Sequence, residues 1–248
     1  MDIIDVVLVV GVGLLAGFFN VVAAGGSLLT IPLLIFLGLP PSVANGTNRV
    51  AIMAQNVMAV SRYHKRKLIP YSFAIWPAIS AILGSLVGAY IANYIDEHNF
   101  QRILAIVMAV VAFTLLVSPP QKEAAPRLYG KYKWLTVFGF FFVGIYGGFL
   151  HAGIGVFMLL ILTGVSRFNL VNANAIKIFV ALVYVSASFL VFVVNGAVDW
   201  KYGLVLAVGN TAGGWLGTQV VVNKGEKWIK FILIGVVIGM SIKLWFFQ

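Results

Sequence analysis

Apolar runs separated by short polar loops dominate this chain. They fall at roughly 3–22, 27–38, 48–62, 72–94, 101–117, 135–150, 155–165, 176–194, 202–222 and 229–247. Runs of about 20 residues with few charges predict membrane-crossing helices, because a helix satisfies its own backbone polar groups where no water can. The runs 27–38 and 155–165 are too short for that. At ~1.5 Å per residue a dozen residues reach about 18 Å, against a hydrocarbon core of ~30 Å. Each follows a glycine-rich break: Ala23-Ala24-Gly25-Gly26-Ser27 in one case, Gly147-Gly148 through Gly153-Ile154-Gly155 in the other. The pattern predicts a full helix, a break and a half-length helix, twice over. Each half-helix then leads through a loop into a polar island, Asn45-Gly46-Thr47-Asn48-Arg49 or Asn172-Ala173-Asn174-Ala175-Ile176-Lys177.

The two sets of features repeat in order. Gly38 and Gly164 each close a short apolar segment, Asn45 matches Asn172, Thr47 matches Asn174, and Arg49 matches Lys177 at an offset of 177 − 49 = 128. Gly84 and Gly88 match Gly213 and Gly217, and Phe100 in FQRIL matches Trp228 in WIKFI. The offset drifts from 126 (164 − 38) to 129 (217 − 88), as small loop insertions would give. The expected fold is all-α: a polytopic membrane protein of two homologous halves, each with a glycine-broken short helix. The divisions are a first repeat at 1–117, a linker at 118–134 and a second repeat at 135–248. Paired, interrupted hydrophobic segments are the usual sequence pointer to a transporter binding site.

Composition agrees. The chain is 61% hydrophobic and only 10% charged, where a soluble domain carries about 25% charged residues. The first run, Ile3–Val22, has no basic leader and no clean cleavage site, so it reads as a retained span. The net charge of +10 would suggest nucleic acid in a soluble protein. Here the basic residues flank the spans, where they set orientation. The loop Arg62-Tyr63-His64-Lys65-Arg66-Lys67 and the linker with Lys122, Arg127, Lys131 and Lys133 are expected on the cytoplasmic side of the cell membrane. If 135–176 crosses the membrane twice, through a returning half-helix, then Lys224, Lys227 and Lys230 join them and the repeats are inverted. A single crossing gives a parallel eight-span repeat instead.

The acids narrow the chemistry. Asp2, Asp5, Asp96, Glu97, Glu123, Asp199 and Glu226 all lie at termini or in predicted loops. Cation and proton carriers commonly use carboxylates inside the membrane, and none is offered here. With no cysteine, disulfides, thiolate metal sites and cysteine nucleophiles are excluded. There is no HExxH and no Walker A sequence, so neither metal-assisted hydrolysis nor ATP drive within this polypeptide has support, and no cofactor is expected.

Arg49 and Lys177 are the leading candidates, since a charge in an apolar span usually lines a site or pathway. They fall near the starts of their spans, where helix N-termini add N–H groups that favour anions. The competing reading is that both snorkel to the interface as anchors. Asn45, Thr47, Asn48, Asn172 and Asn174 suit hydrogen bonds to an oxyanion and equally suit helix caps. Gly25, Gly26, Gly153 and Gly155 permit close backbone approach to a ligand or close helix packing, whereas packing is the stronger reading for Gly84, Gly88, Gly213 and Gly217. His151 in the second break, and Asn20 at the matching end of the first helix, suit either ligand contact or structure. Gln55 and Asn56, about two turns beyond Arg49, line the pathway or bind neighbouring helices. Trp76, Trp134, Trp200, Trp228 and Trp245 near span ends fit an aromatic belt.

Gly17-Phe18-Phe19-Asn20, Gly25-Gly26-Ser27-Leu28-Leu29-Thr30-Ile31-Pro32, Gly38-Leu39-Pro40 and Ala44-Asn45-Gly46-Thr47 together resemble the TauE/SafE sulfite exporter family of membrane permeases. The likeness covers nearly the whole chain. The second half carries a weaker copy, with Ala173-Asn174 for Gly46-Thr47 and no counterpart of Pro32. The resemblance implies transport of small anions such as sulfite, organosulfonates or related carboxylates across a lipid bilayer. It fixes neither substrate nor direction, and a homo-oligomer stays open. An anion channel is the alternative, since basic and polar linings suit both. The broken, paired segments lean toward alternating access.

Overall fold

The computed structural model describes residues 1–22, 25–117 and 126–223, and these residues are almost wholly helical. In chain order the helices are α1 (Ile3–Val22), α2 (Ser27–Phe36), α3 (Pro41–Lys65), α4 (Tyr71–Tyr94), α5 (Glu97–Val117), α6 (Lys131–Phe149), α7 (Ile154–Leu160), α8 (Leu170–Val194) and α9 (Trp200–Asn223). A π-helical turn, Ile161–Val165, extends α7. Among the described residues, three helices, α1, α4 and α8, are long and apolar enough by themselves to cross a bilayer. Ala23, Ala24, the linker acids and bases at 118–125, and the 229–247 run with Lys224, Glu226, Lys227, Trp228, Lys230 and Trp245 lie outside the described residues.

The short segments form where the apolar pattern places them. α7 folds back along α6: Ile154 meets Gly147, and Ile161 meets Gly139. Gly153 makes this reversal at φ +68°, a left-handed conformation that glycine adopts without penalty. The Tyr146 hydroxyl closes the turn by donating to the Ala152 carbonyl. α2 starts close beside α1, for a Cβ on Gly26 would overlap the Ala16 carbonyl. Gly38, at φ +90°, ends the segment, with its N–H on the Ile35 carbonyl at 2.9 Å.

The long helices pack in reciprocal pairs. α1 and α9 advance in step, since Gly209, Gly213 and Gly217 abut the carbonyls of Val10, Leu14 and Phe18, a constant difference of 199 (209 − 10, 213 − 14, 217 − 18). α4 and α6 do the same. The Ser80 hydroxyl donates to the Val137 carbonyl at 2.7 Å, while Gly84 and Gly88 abut those of Phe141 and Ile145, a constant 57 (137 − 80, 141 − 84, 145 − 88). Both pairs therefore run parallel. α3 and α8 run antiparallel, with Gly46 against Phe192, Arg49 against Ser188 and Tyr63 against Asn174. The packing reading of Gly84, Gly88, Gly213 and Gly217 is thus the one the structure shows.

These directions gather the basic segments on one face. Arg62, at the end of α3, donates to the Trp215 carbonyl of α9 at 3.1 Å. Phe73, early in α4, meets Phe168 just before α8, with ring centroids 4.9 Å apart. Trp76 pairs with Trp134 at 5.8 Å, under the Lys133 ammonium. The Arg127 N–H reaches the Ser166 carbonyl at 2.8 Å. Arg62, Lys65, Arg66, Lys67, Arg127, Lys131 and Lys133 therefore share an end of the bundle, and α9 finishes there. The N-terminus lies at the other end.

The helices that carry the polar islands start earlier than the apolar runs at 48 and 176 indicate, since α3 begins at Pro41 and α8 at Leu170, so both islands are helical. Pro41 suits the first turn of a helix, and the Asn169 side chain caps α8 by accepting the Asn172 N–H at 2.9 Å. Lys131–Trp134, at the end of the expected linker, form the first turn of α6.

Candidate functional site

Arg49 is fully buried. Its Nη1 donates to Ser188 Oγ at 2.7 Å, and its Nη2 donates to the carbonyls of Gly147, at 3.1 Å, and Gly148. The guanidinium also lies over the Phe192 ring, 4.4 Å from its centroid. One turn earlier, Asn45 Nδ2 donates to the Phe149 carbonyl at 2.7 Å. Gly147, Gly148 and Phe149 are the last residues of α6, whose carbonyls have no partner within the helix and carry its negative dipole end. α3 therefore caps α6 at the second break with one amide and one cation.

α8 does the same for α1. Lys177 Nζ donates to the Asn20 carbonyl at 3.0 Å. Asn174 Nδ2 donates to the Val21 carbonyl at 2.8 Å and contacts the Tyr63 hydroxyl at 3.3 Å. By role, Asn45 corresponds to Asn174 rather than Asn172, an offset of 129 (174 − 45). Arg49 and Lys177 are both buried, so neither snorkels to an interface.

The expected setting at the N-termini of their own helices is also revised. Arg49 is the ninth residue of α3 and Lys177 the eighth of α8 (49 − 41 + 1 and 177 − 170 + 1). Both face the C-terminal carbonyls of another helix. Thr47 and Asn172 stand apart from these caps. Thr47 Oγ1 accepts the Asp199 N–H at 2.8 Å, tying α3 to the start of α9. Asn172 lies in the first turn of α8, partly exposed. Asn48 is buried and accepts from the Thr30 hydroxyl at 2.6 Å, linking α2 to α3.

His151 stands in the second break at φ +59°, buried, with Nδ1 2.8 Å from the Tyr184 hydroxyl. The break glycines Gly25, Gly26, Gly153 and Gly155 are all buried. Protein crowds two of them: Gly26 by α1, and Gly153 by Val111 of α5, 2.7 Å from where a Cβ would sit. Nothing in the sequence marks Ser188, Phe192, Tyr184 or Tyr63 for this site, and only the crossing of helices brings them to the caps and the second break.

The buried polar inventory has one sign of charge. Arg49 and Lys177 are buried, whereas among the described residues no Asp or Glu is. The buried amides Asn45, Asn48, Gln55, Asn56, Asn174 and Asn210 each keep one side-chain atom without a protein partner, as does Arg49 Nε.

Long apolar helices, paired broken segments and buried cations define a multi-pass membrane protein of the transporter class. The chain matches the family described as Sulfite exporter TauE/SafE over residues 9–244, and it belongs to that family. It is 31% identical over 235 residues to the "Probable membrane transporter protein YfcA" of Escherichia coli K12, covering 94% of this chain and 87% of that one. A "Probable membrane transporter protein" of Haemophilus influenzae is 31% identical over 234 residues, covering 94% and 91%. "Probable membrane transporter protein YunE" of Bacillus subtilis is 25% identical over 263 residues, covering 96% of each. No solved structure matches the chain. Family and relatives alike indicate a membrane transporter.

Proposed function

We propose that the protein is a secondary transporter of small anions, with sulfite, organosulfonates or related organic anions as its substrates. The observation that carries this reading is the pair of buried cations, Arg49 and Lys177, with no buried carboxylate among the described residues. A cation entering this interior meets repulsion and no acid. An oxyanion instead meets a fixed positive charge at each break, and buried amide donors beside it, which offset the cost of removing it from water. It competes with the helix-end carbonyls for the donors of Arg49 and Lys177. Occupancy is thereby coupled to how α6 and α1 are held at their breaks. That coupling suits a carrier, where substrate must bias one conformation over another. The names of the relatives also favour a carrier over a channel.

Two inverted repeats support this cycle. The equivalent helices α3 and α8 run antiparallel, and α1–α9 and α4–α6 form reciprocal pairs. In inverted-repeat carriers, exchanging the conformations of the halves turns an outward opening into an inward one. The basic face is cytoplasmic in this reading. Cysteines introduced at Lys67 and Lys131 should resist an impermeant maleimide in intact cells, while one at Asp2 should react. The chain supplies no background thiol. Labelling at Lys67 and Lys131 with protection at Asp2 reverses the orientation.

Substrate charge is tested in proteoliposomes. Sulfite or a small sulfonate should enter saturably, and choline should neither enter nor compete. Saturable choline uptake with no response to any anion would remove the role given to Arg49 and Lys177.

A further inference from the structure

Four buried donor atoms without a protein partner stand on one helix. Asn48 Nδ2, Arg49 Nε, Gln55 Nε2 and Asn56 Nδ2 all belong to α3, and their side chains are at most 1% exposed. They form two pairs seven residues apart (55 − 48 and 56 − 49), so Gln55 shares a helix face with Asn48, and Asn56 with Arg49. Two turns separate the pairs, about 10.5 Å along the axis.

The surroundings fix what each pair has left to give. At the first, Thr30 supplies the hydrogen bond to Asn48 Oδ1, leaving Nδ2 over. The terminal nitrogens of Arg49 are held by Ser188 and the end of α6, leaving Nε. At the second, Asn20 Nδ2 donates to Gln55 Oε1 at 3.1 Å, leaving Gln55 Nε2 over. The carbonyl of the same Asn20 takes Lys177 Nζ. Each pair thus has its own cation, Arg49 directly and Lys177 through Asn20. Lys177 lies 188 − 177 = 11 residues before Ser188, the partner of Arg49, on α8. That is a backbone rise of about 16 Å, beside about 10.5 Å between the pairs themselves, and both exceed the width of one sulfite. Buried N–H donors are seldom left without an acceptor, and an oxyanion is an acceptor of the right charge.

We infer that α3 carries two oxyanion subsites in series, Asn48–Arg49 and Gln55–Asn56, which one substrate anion visits in turn or two occupy at once. This rests on the anion-transport reading and refines where the anion sits. The Gln55–Asn56 subsite takes the same class of ligand, a small sulfur or carboxylate oxyanion.

Equilibrium binding of radiolabelled sulfite, and separately of methanesulfonate, to the full chain in nanodiscs tests it. The wild type should bind two anions per chain. The Gln55→Met, Asn56→Leu double variant should bind one, at unchanged affinity, with proteoliposome uptake reduced on the order of ten-fold. If that variant does not fold, Asn56→Asp keeps the shape while placing a negative charge at the second level, and it too should bind a single anion. One anion per wild-type chain, or two in either folded variant, overturns the series arrangement and leaves anion transport standing. Absence of binding and uptake of both probes by the wild type overturns anion transport itself, and the subsites with it.

Discussion

Replacing Arg49 with glutamine should weaken oxyanion binding by roughly 1.5–3 kcal/mol, the scale of a charge-assisted hydrogen bond, or about ten- to a hundred-fold in Kd. Transport should fall at least as far. The side chain has no solvent exposure and donates to Ser188, Gly147 and Gly148. Its removal therefore acts on folding as well, because the α6 carbonyls lose a buried partner. Arg49→Lys separates the two effects. A lysine keeps the charge at the end of α6 but loses the planar fork and the Nε donor. It should recover stability measured by thermal denaturation, while leaving anion affinity well below wild type. Lys177→Gln should be milder on stability, since the ammonium acts as a point charge against the Asn20 carbonyl. Wild-type affinity and flux in both Arg49→Gln and Lys177→Gln would separate the basic pair from transport altogether.

Much of this arrangement is legible in the chain. Span length and glycine breaks located α2 and the α7 segment nearly to the residue, because a half-length apolar run flanked by glycines has few alternatives in a bilayer. The basic pair and Asn45, Asn48 and Asn174 stood out for being polar in apolar surroundings. What could not be read was the partner of each. The islands fall ahead of the apolar runs that follow them because burial of a polar side chain is a tertiary property. Asn45 and Arg49 are tolerated inside α3 only because the end of α6 crosses there with carbonyls to spare. Thr47 sits in the same island yet serves the start of α9, and nothing in its neighbours marks that difference. Ser188 and Tyr184 lie in an apolar run with Ser186 between them, and no local pattern distinguishes the two from that ordinary helix residue.

The glycine interfaces give the other large expected effect, one that separates packing from helix propensity. Gly213 sits in α9 where an added Cβ would overlap the Leu14 carbonyl, and Gly84 sits in α4 where one would overlap the Phe141 carbonyl. In both cases the obstacle is backbone, which cannot rotate aside. Gly213→Ala and Gly84→Ala must therefore push α1 from α9 or α6 from α4, at a cost of about 1–3 kcal/mol each and more if the helices cannot shift. In a bilayer such close approach is itself a main source of helix association. Gly11 is the control: it lies within α1, exposed, and a Cβ there meets nothing within 4 Å. Gly11→Ala should be neutral or stabilising by up to about 1 kcal/mol, the helix-propensity difference alone. Detergent-solubilised variants should thus divide, with Gly213→Ala and Gly84→Ala melting several degrees below wild type and Gly11→Ala at or above it. The two destabilised variants should also lose a similar amount, because they occupy matching positions in reciprocal pairs, 213 − 84 = 129 residues apart. If Gly213→Ala melts with Gly11→Ala, α1 and α9 are not in backbone contact. If Gly84→Ala alone is destabilised, the two interfaces are not equivalent, and the case for inverted repeats loses the packing evidence on which it rests.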